Sequence, residues 1–474
     1  MTSFLQSRTQ TAADGIGKPV LRKEDRRLVT GHGAYSDDFS LPGQAYACFV
    51  RSPHAHARIR RIETADALKV PGVIAVLTGA DAVADGLKAI PHPAVPTNPH
   101  ELRLENRDGS PIFLAPHPPL PADAARLVGE AVAMVVAETR AAAADGAAAV
   151  SVDYERRPAV TATVDAMADD APRVWSEAPS NVCVDCEAGD AAATEAAFRR
   201  AAHVVRLETV VNRVTGVPME PRAALGAYDE ASGRYTLYAG SGGSVRIKND
   251  LAATLGVPAS AVRVVAREVG GNYGTRNAFY PEFALVPWAA RRLGRPVKWT
   301  CEDLRGPLAG IGDETMSVPS YPYGCAVCEV EVDPETGVVE IVRYTTVDDV
   351  GRAVNPMILH GQTHGGIAAG VGQALWELCH YDRETGQLQS ATFMDYALPR
   401  ADSLPAFRTE ISEVPSTSNP LGLRGGGEGG TTPALGAVVN AIVDALAELG
   451  VEHVEMPAAP ERVWRAIEDA KTRG

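Results

Sequence analysis

The chain has 474 residues, a formal charge of −14, 45% hydrophobic and 22% charged residues. That is the balance of a globular protein with room for two or three domains, and its average negative field argues against a nucleic-acid partner. No apolar run reaches membrane-spanning length and the first residues, MTSFLQSRTQTAADGIGKP, lack the apolar centre of a secretory signal, so a cytoplasmic location without a membrane partner is expected.

In chain order, Ala45–Val50 and Val73–Leu77 read as short strands separated by turn-rich pieces. His54 and His56 would share a face of an extended segment, but with no third ligand nearby they are read as structural hydrogen-bonding residues. Residues 84–121 are proline-rich and read as an irregular surface excursion. Val128–Val136 has the apolar continuity of a buried strand, Arg140–Ala149 reads as a helix and Val150–Tyr154 as a second strand, an order that suggests a parallel pair with a crossover. The proline-rich, acidic stretch Pro158–Pro179 marks a first domain boundary.

Beyond that boundary, Thr194–Ala202 reads as helix, Val204–Asn212 as extended and Arg234–Tyr238 as strand. Two glycine loops follow: Gly240-Ser-Gly-Gly243 before a helix bearing Ile247, Leu251 and Leu255, and Val269-Gly-Gly-Asn-Tyr-Gly274 after the strand Val262–Val265. Glu282–Leu293 reads as a helix kinked at Pro287 unless a turn starts there. Cys325–Val332 and Val338–Val347 form a hairpin across Asp333–Gly337. Strand alternation sends Cys325 and Cys328 to opposite faces, which argues against a shared metal, and seven cysteines in so long a chain do not suggest a disulfide scaffold. Gly361–Leu378 reads as a helix whose Gly366 and Gly370 leave a smooth patch, with Gln362 free to reach a ligand.

A third glycine loop, Leu423-Arg-Gly-Gly-Gly-Glu428-Gly-Gly, holds one carboxylate and runs into Ala434–Leu449, with Thr431 or Thr432 as expected cap and Gly450 as stop. Leu435, Val438, Val439, Ile442 and Leu446 mark its apolar face. A helix N-terminus beside a carboxylate suits an anion next to a general base, and three such loops suit a phosphorylated cofactor. None matches the dinucleotide fingerprint or the P-loop, which leaves nicotinamide and ATP without support.

Together the segments Leu28–Asp38, Arg51–Ala57, Val128–Glu130, Met219-Glu-Pro-Arg222, Val269–Gly274, Asp348–Arg352, Asn355-Pro356, Gly361-Gln362, Gly365-Gly366, Met394–Tyr396, Gly427-Glu428 and Met456–Trp464 resemble the molybdopterin-binding large subunit of the molybdenum hydroxylases, the xanthine dehydrogenase, aldehyde oxidase and aerobic carbon monoxide dehydrogenase family. The resemblance implies an α+β fold of mixed α/β units: a hammerhead-like domain over residues 1–165, then a shortened molybdopterin-binding region in two parts, 166–305 and 306–474. It implies an oxidoreductase acting on an aldehyde, heteroaromatic or related small substrate, in which Glu428 is the catalytic base toward a molybdenum-bound hydroxyl. Gly271, Tyr273, Gly274, Gln362, Gly365, Gly427 and Gly429 are the implied cofactor-binding residues, and no protein side chain is assigned to the metal. The implied cofactor is molybdenum–molybdopterin, with the cytosine dinucleotide form as one option. FAD and 2Fe-2S centres are expected on partner subunits of a hetero-oligomer. The chain departs from the family pattern twice: Gly240–Gly243 stands where relatives often carry a glutamine, and a long middle stretch of the pattern is missing between Arg305 and Gly306. That gap makes a catalytically inactive deletion variant or an assembly subunit the alternative reading, and it leaves uncovered apolar surface expected to favour self-association.

Overall fold

The computed structural model describes residues 16–92, 104–301, 321–419 and 421–473; the Arg305–Gly306 junction lies outside them. The strands are β1 Ala45–Arg51, β2 Ala57–Glu63, β3 Val73–Thr78, β4 Ala124–Ala125, β5 Ala131–Ala137, β6 Ser151–Arg156, β7 Ala223–Asp229, β8 Arg234–Ala239, β9 Val262–Val265, β10 Val297–Thr300, β11 Tyr323–Val332, β12 Val339–Asp349 and β13 Arg408–Ser412. The helices are α1 Asp25–Val29, α2 Gly79–Ala84, α3 Arg140–Ala148, α4 Ala191–Arg200, α5 Ser244–Leu255, α6 Pro281–Leu293, α7 Pro356–Leu375, α8 Thr431–Ala445 and α9 Pro460–Arg473. The result is a mixed α/β fold, as the resemblance implies.

A mixed sheet of order β3-β5-β1-β10-β7-β8-β9 carries the larger core. Every residue of β5 is buried, which explains its unbroken apolar run. Because β1 pairs in parallel with β10, this sheet takes strands from both sides of the 165/166 division. Helix α6 crosses β7 at Gly226, where a Cβ would stand 2.3 Å from the Pro287 nitrogen. Pro287 therefore sits inside a continuous helix whose backbone packs directly on the sheet at Gly226, where no side chain competes.

The second core lies between the sheet β11-β12-β13 and helices α7, α8 and α9, with Tyr344, Ile367, Val371, Val438, Ile442, Val463 and Ile467 at its centre. In β11, Ala326, Cys328, Val330 and Val332 face this core while Cys325 is exposed on the other side, as the alternation requires.

Three sequence expectations need correction. Strands β5 and β6 do not pair: β6 lies antiparallel to β2 in a separate small sheet, β4-β2-β6, and both neighbours of β5 are antiparallel to it. Helix α3 is thus a connection between sheets, a choice that local pattern does not encode. Val204–Asn212, by contrast, runs without turn or bend in keeping with the extended reading, and joins no ladder. Helix α7 begins at Pro356, in the favoured first-turn position for proline, so Gln362 lies in its second turn. Finally, Gly430, not Thr431 or Thr432, precedes the first turn of α8. A Cβ at Gly430 would meet the Thr363 carbonyl oxygen at 2.5 Å, so close packing on α7, not a side-chain cap, sets the entry of α8.

Candidate functional site

Strands β8 and β9 are parallel, with Tyr238 opposite Val265, so the two glycine loops that follow them leave the sheet at the same end. The antiparallel neighbours bring two more segments there: Met219–Arg222 at the start of β7, and Thr300-Cys301 at the end of β10. Topology alone therefore gathers Gly240–Gly243, Gly270–Gly274 and Glu220.

Glu220 ties these pieces together. Its Oε1 accepts from the Ser36 amide at 2.9 Å and the Ser36 hydroxyl at 2.5 Å, and its Oε2 accepts from the Gly270 amide at 2.8 Å. Arg276, 1% exposed, donates through Nη2 to the Glu220 carbonyl and stands 3.5 Å from its carboxylate. The Gly242 amide donates to the Arg276 carbonyl at 3.0 Å. Burial pulls the Arg276 pKa down, with Glu220 acting against it. Three donors or acceptors around this junction are buried without a partner among the described residues: Arg276 Nε, Arg276 Nη1 and Ser241 Oγ. Polar atoms in that position cost free energy unless a ligand or water meets them.

Close approach is the reason for the glycines. A Cβ at Gly242 would fall 1.9 Å from Asn277 Oδ1, and one at Gly270 would fall 2.6 Å from the Glu220 side chain. Tyr273, at φ 48°, is the one non-glycine described residue with positive φ and is 66% exposed. A bulky side chain held there is backbone strain of the kind found at ligand clamps. Next to the cradle lies a second buried charge group, in which Glu282 is fully buried, Arg51 Nη2 reaches it at 2.7 Å, and Arg222 lies over the Tyr280 ring at 4.1 Å.

The other group of implied residues sits where α7 meets α8. Gly366 and Gly370 provide the smooth patch: Cβ atoms there would come within 3.1 Å of the Gly430 Cα and 2.4 Å of the Thr431 carbonyl oxygen. Gln362, Gly365, Gly427 and Glu428 are exposed along this seam and Gly429 is half-buried. The Glu428 carboxylate has no hydrogen bond or ion pair among the described residues, while its carbonyl accepts from the Thr431 amide at 3.0 Å. Beneath the seam, burial raises the pKa of Asp348, opposed by hydrogen bonds from Thr346 and Thr363.

The sequence-implied site residues thus form two sets: Gly271, Tyr273 and Gly274 in the cradle, and Gln362, Gly365, Gly427, Glu428 and Gly429 on the α7–α8 seam. No hydrogen bond or ion pair among the described residues joins the sets directly. The Cys301 amide donates to the Arg222 carbonyl at 2.7 Å, beside the cradle, and Arg424 lies over the Tyr323 ring at 4.5 Å, beside the Glu428 loop. Glu220 and Ser241 lie within the motifs Met219–Arg222 and Gly240–Gly243 with no role legible from sequence, and Arg276 lies outside every motif. The available signal was an acid and an arginine next to glycine loops, which gains meaning only once the loops meet.

Residues 30–158 match the family described as aldehyde oxidase and xanthine dehydrogenase, a/b hammerhead domain, and residues 174–305 and 296–405 match molybdopterin cofactor-binding domains. The chain is 35% identical over 288 residues to the 6-hydroxypseudooxynicotine dehydrogenase complex subunit gamma of Paenarthrobacter nicotinovorans, covering 60% of this chain and 34% of that one. It is 32% identical over 302 residues to the carbon monoxide dehydrogenase large chain of Hydrogenophaga pseudoflava, covering 61% of this chain and 35% of that one. These matches span about a third of the length of the relatives. Among solved structures, the fold resembles reconstituted CO dehydrogenase from Oligotropha carboxidovorans (TM-score 0.84, 18% identity, 97% of this chain and 98% of that one). It also resembles quinoline 2-oxidoreductase from Pseudomonas putida 86 (TM-score 0.81, 20% identity, 96% and 98%). No helix among the described residues is long and apolar enough to cross a membrane. With hammerhead and cofactor-binding segments in family order over this fold, the chain belongs to the molybdenum hydroxylases, among their molybdopterin-binding large subunits.

Proposed function

We propose that the chain is the cofactor-binding part of an oxidoreductase that acts on an aldehyde, a heteroaromatic or a related small substrate. The observation that carries the reading is the cradle, where two glycine loops converge over buried Arg276 with its Nε and Nη1, and Ser241 Oγ, left unpartnered. Donors of this kind, with backbone close enough to touch a ligand, fit the oxygen-rich, anionic molybdenum–pterin group. Ser241, Gly271, Tyr273 and Gly274 would hold one side of it, and Gln362, Gly365, Gly427 and Gly429 the other. When bound, that group supplies two-electron oxidation.

The role assigned to Glu428 is proton acceptance. Its carboxylate is uncommitted, stands at the head of α8 and is presented by glycines that leave it free to approach a substrate. The cytosine dinucleotide form of the cofactor, FAD and 2Fe-2S centres on partner subunits, a cytoplasmic hetero-oligomer and the division at 165/166 and 305/306 belong to the same proposal. Support for these is resemblance alone.

The test is expression beside cofactor-maturation factors, with molybdenum counted per chain and turnover followed with an artificial electron acceptor. Wild type should carry the metal and turn over. Glu428→Gln should keep the metal and lose about 10²–10⁴ in rate. A chain that carries no molybdenum refutes cofactor binding, and a Glu428→Gln variant as fast as wild type refutes the base. One observation favours the alternative, an inactive deletion variant or assembly subunit: Glu428 and Gln362 are exposed, and no hydrogen bond or ion pair among the described residues links their seam to the cradle. Metal bound without turnover would select it.

A further inference from the structure

We propose that residues 203–211 form an intermolecular β-ladder with the same segment of a second copy of this chain. The segment, His-Val-Val-Arg-Leu-Glu-Thr-Val-Val, has the composition of a strand and runs without turn or bend. Yet it belongs to no sheet, and no backbone–backbone hydrogen bond among the described residues reaches it. Its apolar side chains stand in water, with Val205 91% and Leu207 67% exposed. Helix α4, just before it, has no buried residue either, so helix and strand together make an arm with almost no packing of its own. An extended apolar edge with open donors and acceptors is a template for another strand.

The sequence of the arm specifies which strand. Pairing two copies antiparallel about Leu207 sets Arg206 opposite Glu208 of the second copy, and Glu208 opposite its Arg206. Val204 then faces Val210, Val205 faces Thr209, and Leu207 faces Leu207. Arg206 and Glu208 are exposed and carry no ion pair among the described residues, so this register supplies both with their complement. The backbone agrees. The Val210 amide already donates to Glu455 Oε2 of its own chain at 3.3 Å, which turns the even-numbered amides inward and leaves those of Val205, Leu207 and Thr209 for the partner. Leu207 is then a hydrogen-bonded pair, and Arg206–Glu208 are the closer, non-hydrogen-bonded pairs whose side chains meet best.

The experiment is sedimentation velocity on the full chain from about 1 to 50 μM, a range chosen to bracket affinities near the micromolar scale. Wild type should be a dimer whose fraction rises with concentration. Arg206→Glu and Glu208→Arg each set like charges opposite one another twice and should weaken the dimer roughly tenfold or more, while the double exchange restores it. Leu207→Pro, which removes an outward amide from an exposed position, should leave a monomer with unchanged circular dichroism. A monomeric wild type, as expected if the edge belongs to a strand of a different polypeptide, overturns the proposal. So does a single exchange that dimerises like wild type, or a double exchange that stays monomeric.

Discussion

Glu130, at the entry to β5, gives the molecule a pH dependence that can be isolated. Burial pushes its pKa from 4.5 up to about 7, against the opposing hydrogen bond from the Arg126 amide, which reaches Oε2 at 2.6 Å. In the unfolded chain the group titrates near 4.5. Between the two values the native state holds a proton that the unfolded state has lost, so the stability contributed by Glu130 is present below about pH 4.5 and lost as pH rises through about 7. Two and a half units at 1.36 kcal/mol each make that loss about 3 kcal/mol. Glu130→Gln keeps an acceptor for the Arg126 amide and removes the titration. Urea unfolding followed by the fluorescence of Trp288 and Trp299, both in the core of the large sheet, should show wild type losing about 3 kcal/mol relative to the variant between pH 4.5 and 8. Parallel pH profiles for the two proteins would mean that Glu130 is solvated and the reasoning wrong.

Other outcomes follow from close packing and buried charge. Arg51→Met should destabilise by about 3–5 kcal/mol because it leaves the fully buried Glu282 with Arg222 alone, while adding Glu282→Met should recover much of the loss; a double variant no better than the single one would count against the ion pair. Gly370→Val places a side chain where the Thr431 carbonyl oxygen lies 2.4 Å from a Cβ position. It should cost about 1–3 kcal/mol and loosen the start of α8, read as faster amide exchange there; unchanged exchange would show that α7 and α8 do not depend on that contact.

How much of this was legible beforehand depends on whether the cause was local. Strand alternation placed Cys325 and Cys328 on opposite faces, and the apolar run of β5 announced its burial. The glycines at 366 and 370 read correctly as a surface for close approach, though the partner was not identifiable. What failed were one statement about pairing and two about where helices begin. The β5-α3-β6 order looks like a crossover to a parallel strand, but β6 joins β2 because the Ile59, Ala125 and Val132 cluster gives it an apolar face to cover.

The sequence by itself determined the family, the three glycine loops and the one carboxylate, Glu428, that the third loop holds, because a motif is a short-range pattern and survives in one dimension. Only the tertiary structure decided that Gly240–Gly243 and Gly270–Gly274 share one end of a sheet, that Arg276 and Ser241 lie under them unpartnered, and that Glu428 stands on a separate seam. Those outcomes depend on strand direction and on which backbones touch, relations between residues far apart in the chain that local composition cannot carry.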